Sequence, residues 1–261
     1  MNEMTSYAPG TFCWVDLATF DTNAAKKFYN ELFGWTPLDT PMGGDMIYTI
    51  MTINDKPVAA LYEMMPQQRE MNVPSNWLSY INVTNISDTL EVVRNNNGNI
   101  LMDRMDNMDA GISAIIQDPE GAIVSLWEPK KEIGSAYWGD PGTLCWVEHW
   151  SHDNKKAVPF LEAVFGWKAK TEKMGMGEYT QFYLGENAVT GLFVLPEEMK
   201  DVPSNWLPYF YTSNIDASVE IILKNNGKVI MAKLFVEGVG YYGVFSDDQG
   251  AVFGLVQGEM K

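Results

Sequence analysis

Between residues 11 and 18 apolar and polar side chains alternate, the period of a strand with one buried face. The period then changes. Ala25, Phe28, Tyr29 and Leu32 are spaced i, i+3, i+4, i+7, which lines one face of a helix. Asp21 or Thr22 supplies the N-cap, and Gly34 takes the C′ position, where a left-handed residue ends the helix. Strands follow at about 46–53 and 57–64, joined at Asn54-Asp55, a pair that tolerates a tight hairpin turn. The order then restarts. A strand at 77–83 leads to a helix capped by Ser87 and carrying Leu90 and Val93, with a stop at Asn97-Gly98. Further strands lie near 99–103, 112–117 and 122–128, with Asp118-Pro119-Glu120-Gly121 turning between the last two. This half of the chain is a pair of strand–helix–strand–strand–strand modules, an α+β arrangement.

The pattern is then written a second time, about 130 residues on. Cys13-Trp14-Val15-Asp16 returns as Cys145-Trp146-Val147-Glu148, and Phe33-Gly34-Trp35 as Phe165-Gly166-Trp167. Val73-Pro74-Ser75-Asn76-Trp77-Leu78 returns unchanged as Val202-Pro203-Ser204-Asn205-Trp206-Leu207. Asp153 caps the second copy of the first helix, whose stripe is Ala157, Phe160, Leu161 and Val164, with Pro159 in its early turns. The repeat is a domain duplication: residues 1–133 form one domain, 134–142 a Pro- and Gly-containing linker, and 143–261 a second domain.

A formal charge of −16 repels phosphate backbones, so nucleic acid and anionic membranes are poor partners. No run of 18 apolar residues is present to span a bilayer, and the N-terminus lacks the basic and then apolar pattern of a secretory leader. Cys13 and Cys145 occupy equivalent strand positions, where two domains seldom bring side chains together. They read as buried, reduced thiols facing the helices, which fits a cytoplasmic protein, monomeric or homodimeric. The two histidines, His149 and His152, both fall in the second copy. No Gly-rich phosphate loop and no Gly-x-Ser-x-Gly is present, and no catalytic residue is assigned.

Asp21 before a helix bearing Phe28-Tyr29, then Leu32-Phe33-Gly34-Trp35, then Trp77-Leu78-Ser79-Tyr80, then Asp118-Pro119-Glu120-Gly121, with their echoes in the second copy, resemble the vicinal oxygen chelate superfamily. That superfamily includes glyoxalase I, extradiol dioxygenases and bleomycin-resistance proteins. The resemblance implies two tandem domains, each a cup-shaped mixed sheet of about eight strands with helices outside the cup. Metal-using members place a His, Glu or Gln on each of four cup strands. The corresponding positions here are Trp14, Ala60, Leu78 and Ser125, and in the second copy Trp146, Gly191, Leu207 and Gly254. None is a usual ligand for a catalytic divalent metal. The expectation is therefore no metal and no cofactor.

Residues two apart on a strand share a face. The first cup should show Trp14, Asp16, Tyr62, Leu78, Tyr80, Asn82, Ser125 and Trp127; the second Trp146, Glu148, Trp150, Phe193, Leu207, Tyr209 and Tyr211. His149, Glu63 and Glu128 should face away, and Trp77 and Trp206 should pack against helices. Flat rings offer stacking surface and a carboxylate in an apolar pocket selects a cation. The candidate site residues are thus Trp14, Asp16, Tyr80 and Trp127 in one cup, and Trp146, Glu148, Trp150, Tyr209 and Tyr211 in the other. The reading is a metal-independent binder of a small aromatic or cationic molecule. Two alternatives stay open: a metal-dependent lyase or dioxygenase with relocated ligands, and a scaffold whose cups are filled as core.

Overall fold

The computed structural model describes residues 1–44, 46–174 and 177–258, apart from the side chains of Met174 and Gly177. The first half contains β1 (Phe12–Thr19), α1 (Thr22–Phe33), β2 (Thr36–Gly43), β3 (Met46–Ile53), β4 (Lys56–Glu63) and a short α2 (Pro66–Glu70). Its second module is β5 (Asn76–Asn82), α3 (Ile86–Asn95), β6 (Asn99–Asp106), β7 (Gly111–Gln117) and β8 (Ile123–Pro129). The second half runs β9 (Leu144–Ser151), α4 (Asn154–Phe165), β10 (Lys168–Met174), β11 (Gly177–Leu184) and β12 (Asn187–Val194). It ends with β13 (Asn205–Tyr211), α5 (Ile215–Lys224), β14 (Lys228–Val236), β15 (Gly240–Ser246) and β16 (Val252–Gln257).

Each half makes one eight-stranded mixed sheet, in the orders β2-β3-β4-β1-β5-β8-β7-β6 and β10-β11-β12-β9-β13-β16-β15-β14. The two modules of a half meet where β1 runs antiparallel to β5, and β9 to β13. This places the first strand of each half at the middle of its sheet, so a side chain on its cup face is reached from both modules.

The expected helix signals operate. Asp21 accepts from the backbone of Asn23 and Ala24, Asp153 accepts from Lys155, and Gly34 and Gly166 end their helices with φ near 70°. Asn54 and Asp55 both take positive φ in the β3–β4 hairpin. Ser87 does not cap α3. Asn85 does, accepting from the Asp88 N–H, because its side chain precedes the first turn while Ser87 already lies inside it. Strand β2, which alternation does not predict, carries Pro37 and Pro41; it is an edge strand, where a missing N–H can face solvent and cost no ladder bond.

Helix-facing side chains of both halves form one continuous core. Trp77 packs on Phe210 and Phe12 on Trp206, each at 5.3 Å between ring centroids. The halves also exchange hydrogen bonds reciprocally. The Trp35 indole donates to the Gly142 carbonyl at 2.7 Å, and the Trp167 indole to the Gly10 carbonyl at 2.8 Å. Asp118, in the β7–β8 turn, spends one oxygen on its own turn and the other on His149 of β9 at 2.6 Å. Asp247 does the same from the second half, accepting from Tyr29 at 3.1 Å. The 134–142 segment is packed rather than loose: Ser135 and Ala136 donate to the Cys13 and Pro57 carbonyls. No helix among the described residues is long and apolar enough to cross a membrane.

Candidate functional site

Trp14 and Asp16 share the cup face of β1, as period two requires. Tyr80, paired with Trp14 across the β1–β5 ladder, donates to Asp16 Oδ2 at 2.6 Å. Tyr48, reaching in from β3, donates to the same oxygen at 3.4 Å and accepts from the Trp14 indole at 3.1 Å. Asp16 Oδ1 is buried and has no hydrogen-bond partner. Burial pushes the Asp16 carboxyl up to about 7, even though both phenols pull it back. Trp127 lies at the rim, edge-on to Tyr80, with its indole on the Glu132 carbonyl.

The second cup repeats the plan with a longer acid. Glu148 accepts from Tyr179 of β11 at 2.9 Å, from Tyr209 of β13 at 3.0 Å and from the Trp150 indole at 2.8 Å. Burial raises its carboxyl, opposed by those three donors. Burial, and then the adjoining carboxylate, hold Tyr48, Tyr80, Tyr179 and Tyr209 well above the usual phenol range, so all four remain donors. Trp146 shares the face with Glu148, half-buried. Tyr211 is not brought to the carboxylate: its ring lies against Gly258.

Tyr48 and Tyr179 are the site residues that periodicity missed. They are the same residue at equivalent places in the two copies, which is a usable signal. What joins them to the carboxylate is a crossing of strands from β3 to β1, and strand period alone does not fix that.

Other expectations sort by face. His149 is fully buried on the helix side, against Asp118 and edge-on to Trp206. Glu128 caps α3 through the Ile86 N–H, and Glu63 pairs with Arg69 at the surface. Trp77 and Trp206 join the main core. Both cysteines are free, but Cys145 is only half-buried and packs against the cup-side cluster of the second half rather than toward the helices. The same bulge occurs in both copies, opposite Tyr80 and Ile81 and opposite Tyr209 and Phe210, so Cys13 and Cys145 are each the extra residue, alternation breaks there, and Cys13 too stands outside the helix-side cluster that holds Phe12 and Val15.

The donor set does not suit a catalytic divalent metal. No group of three His, Cys, Asp or Glu side chains able to hold a metal ion occurs among the described residues. Phenols surround each carboxylate, joined in the second half by the Trp150 indole, where imidazoles and further carboxylates would be needed. In the second half the tyrosines take the ligand space itself. A Cβ on Gly191 would collide with the Tyr179 phenol, and one on Gly254 with the Tyr209 ring.

The model of the Glyoxalase/Bleomycin resistance protein/Dioxygenase superfamily matches residues 11–126. "Putative glyoxylase CFP32" of Mycobacterium tuberculosis is 36% identical over 259 residues, covering 98% of each chain. The chain belongs to this superfamily. A further relative, "Anthracycline biosynthesis protein DnrV" of Streptomyces peucetius, is 28% identical over 237 residues, covering 87% of this chain and 86% of its own. Among solved structures, the Mn(II)-bound glyoxalase from Novosphingobium aromaticivorans superposes with a TM-score of 0.66 at 12% identity, covering 95% of this chain and 82% of that one. A catechol 2,3-dioxygenase does so with a TM-score of 0.66 at 11% identity, covering 97% and 89%. Those two likenesses establish the superfamily fold of paired modules in tandem.

Proposed function

We propose that this superfamily member binds a small planar aromatic molecule in an aromatic, acidic cup, without a protein-held metal. The observation that carries the reading is the tyrosine-held carboxylate on the first strand. It stands two residues from a half-buried tryptophan, and phenols occupy the surroundings that metal ligands would need. A ring can stack on the tryptophan and tyrosine faces while its polar edge meets the acid; an aromatic–cation contact adds on the order of 0.5–2 kcal/mol. A relative named for anthracycline biosynthesis agrees with a planar polycyclic ligand. The acidic surface disfavours nucleic acid as a competitor.

The test is a titration of protein dialysed against EDTA with proflavine, a planar cation with amino donors, followed by quenching of tryptophan fluorescence at low and high salt. Saturable quenching that survives both EDTA and salt supports a cup site, because a desolvated contact is screened less than surface attraction. Absence of quenching, or one divalent metal per chain that is required for binding, overturns the reading.

A further inference from the structure

We infer that the ligand site lies in the first cup alone, where Asp16 Oδ1 takes a hydrogen bond from a hydroxyl or amino group on an aromatic ligand, while the second cup is closed by its own side chains. The inference rests on the proposed binding function and assigns that function to one half and one atom.

The equivalent positions differ in a consistent direction. Where the second half has Trp150, two residues beyond Glu148, the first half has Ala18, two beyond Asp16. Trp150 therefore lays an indole across the second cup, and the first carries only a methyl group there. Trp150, Leu207 and Tyr209 are 4%, 2% and 3% exposed and form a cluster with Leu195 and Val244, against which Met199 and Val202 also pack. The strand-to-strand connection after β12 thus covers the second cup. After β4 the corresponding connection buries Met64 in Leu195's place but leaves Met65 and Met71 exposed at 43% and 77%. Trp14 and Tyr48 are half-buried, as are their counterparts Trp146 and Tyr179, so the cups differ at Leu78 and Tyr80, which stay half-buried where Leu207 and Tyr209 are covered.

The glycines point the same way. Gly191 and Gly254 let Tyr179 and Tyr209 lie down on the second sheet, and the first half has Ala60 and Ser125 in their places. A methyl and a hydroxymethyl group thus fill the space that Tyr179 and Tyr209 take in the second half. The hydrogen-bond arithmetic agrees. Both oxygens of Glu148 have donors, whereas both donors to Asp16 fall on Oδ2. A buried acceptor left without a donor is costly, and a ligand that supplies one recovers that cost. A ligand lacking an O–H or N–H would bury the atom still unmatched.

The experiment compares proflavine with 10-methylacridinium, a planar cation of similar shape that has no N–H, on the full chain and on four variants. Proflavine should bind near one per chain and at least tenfold more tightly than 10-methylacridinium. Asp16→Asn should weaken proflavine by at least tenfold. Ala18→Trp, which gives the first cup the second cup's indole, should do the same while the far-UV spectrum and thermal transition remain those of a folded protein. Trp150→Ala and Glu148→Gln should leave proflavine affinity within about twofold, a change too small to mark a lost charge-assisted hydrogen bond. Equal affinity for the two dyes, two sites per chain, or loss on Glu148→Gln but not on Asp16→Asn would overturn the assignment while leaving a cup-binding function intact. No saturable binding of either dye would overturn both.

Discussion

The two cups share one plan and have opposite fillings. In each, the middle strand of the sheet offers a tryptophan and an acid two residues apart, and tyrosines from both modules converge on the acid. The first keeps a short acid, an alanine and half-buried rings. The second has a longer acid, an indole beside it and two glycines that let the phenols settle. The same backbone can therefore support a site or a small core, and the choice turns on a handful of side-chain volumes. Membership of a superfamily says little about which has been chosen.

The comparison breaks most visibly at Trp150. If the second cup is core, Trp150→Ala removes a buried indole and leaves a cavity, and stability by urea denaturation should fall by about 3–5 kcal/mol. A loss below about 1 kcal/mol would mean the second cup is as open as the first.

Asp16 gives the next largest effect, with a sign that depends on pH. Its folded carboxyl stands at about 7, above its ordinary 3.8, so the folded state holds the proton more tightly. That contribution is complete below about pH 4 and is lost as pH rises through about 7. Wild type should therefore lose roughly 2–3 kcal/mol between pH 5 and pH 8 relative to Asp16→Asn, which carries no titrating group. Parallel pH profiles for the two proteins would place Asp16 in contact with water.

Gly254 and Ser125 sharpen the contrast further. Gly254→Ala pushes into the Tyr209 ring and should cost roughly 1–3 kcal/mol, as overpacking does. Ser125→Ala removes only a hydroxyl bonded to the Ala114 carbonyl and should cost about 1 kcal/mol or less. Equal losses at the two positions would mean that Tyr209 does not press on Gly254.

Much of this architecture was legible in the sequence, for reasons that are local. Asp21, Asp153, Gly34 and Gly166 act within one helical turn, so caps and stops follow from spacing. Period two put Trp14 with Asp16, and Trp146 with Glu148 and Trp150, on shared faces. The bulges at Cys13 and Cys145 were hidden because a single inserted residue leaves composition unchanged while reversing the face. Ser87 and Asn85 are both good capping residues, and the cap falls to Asn85 because it is decided by where the first turn begins. Tyr48 and Tyr179 escaped because their partners sit across the sheet. The different fillings could be seen in Ala18 against Trp150 only once register was fixed, since neither residue is unusual in a strand.

The exchange of indole hydrogen bonds, Trp35 to Gly142 and Trp167 to Gly10, has a consequence for how such a molecule can change. Each half completes the other, as two copies of one subunit would across a two-fold axis. In a pair encoded once, every substitution arrives on both sides, so a tryptophan that plugs one cup plugs its twin. Joined in a single chain, the halves keep their mutual grip and are released from identity. One can be spent on solidity while its sister stays hollow.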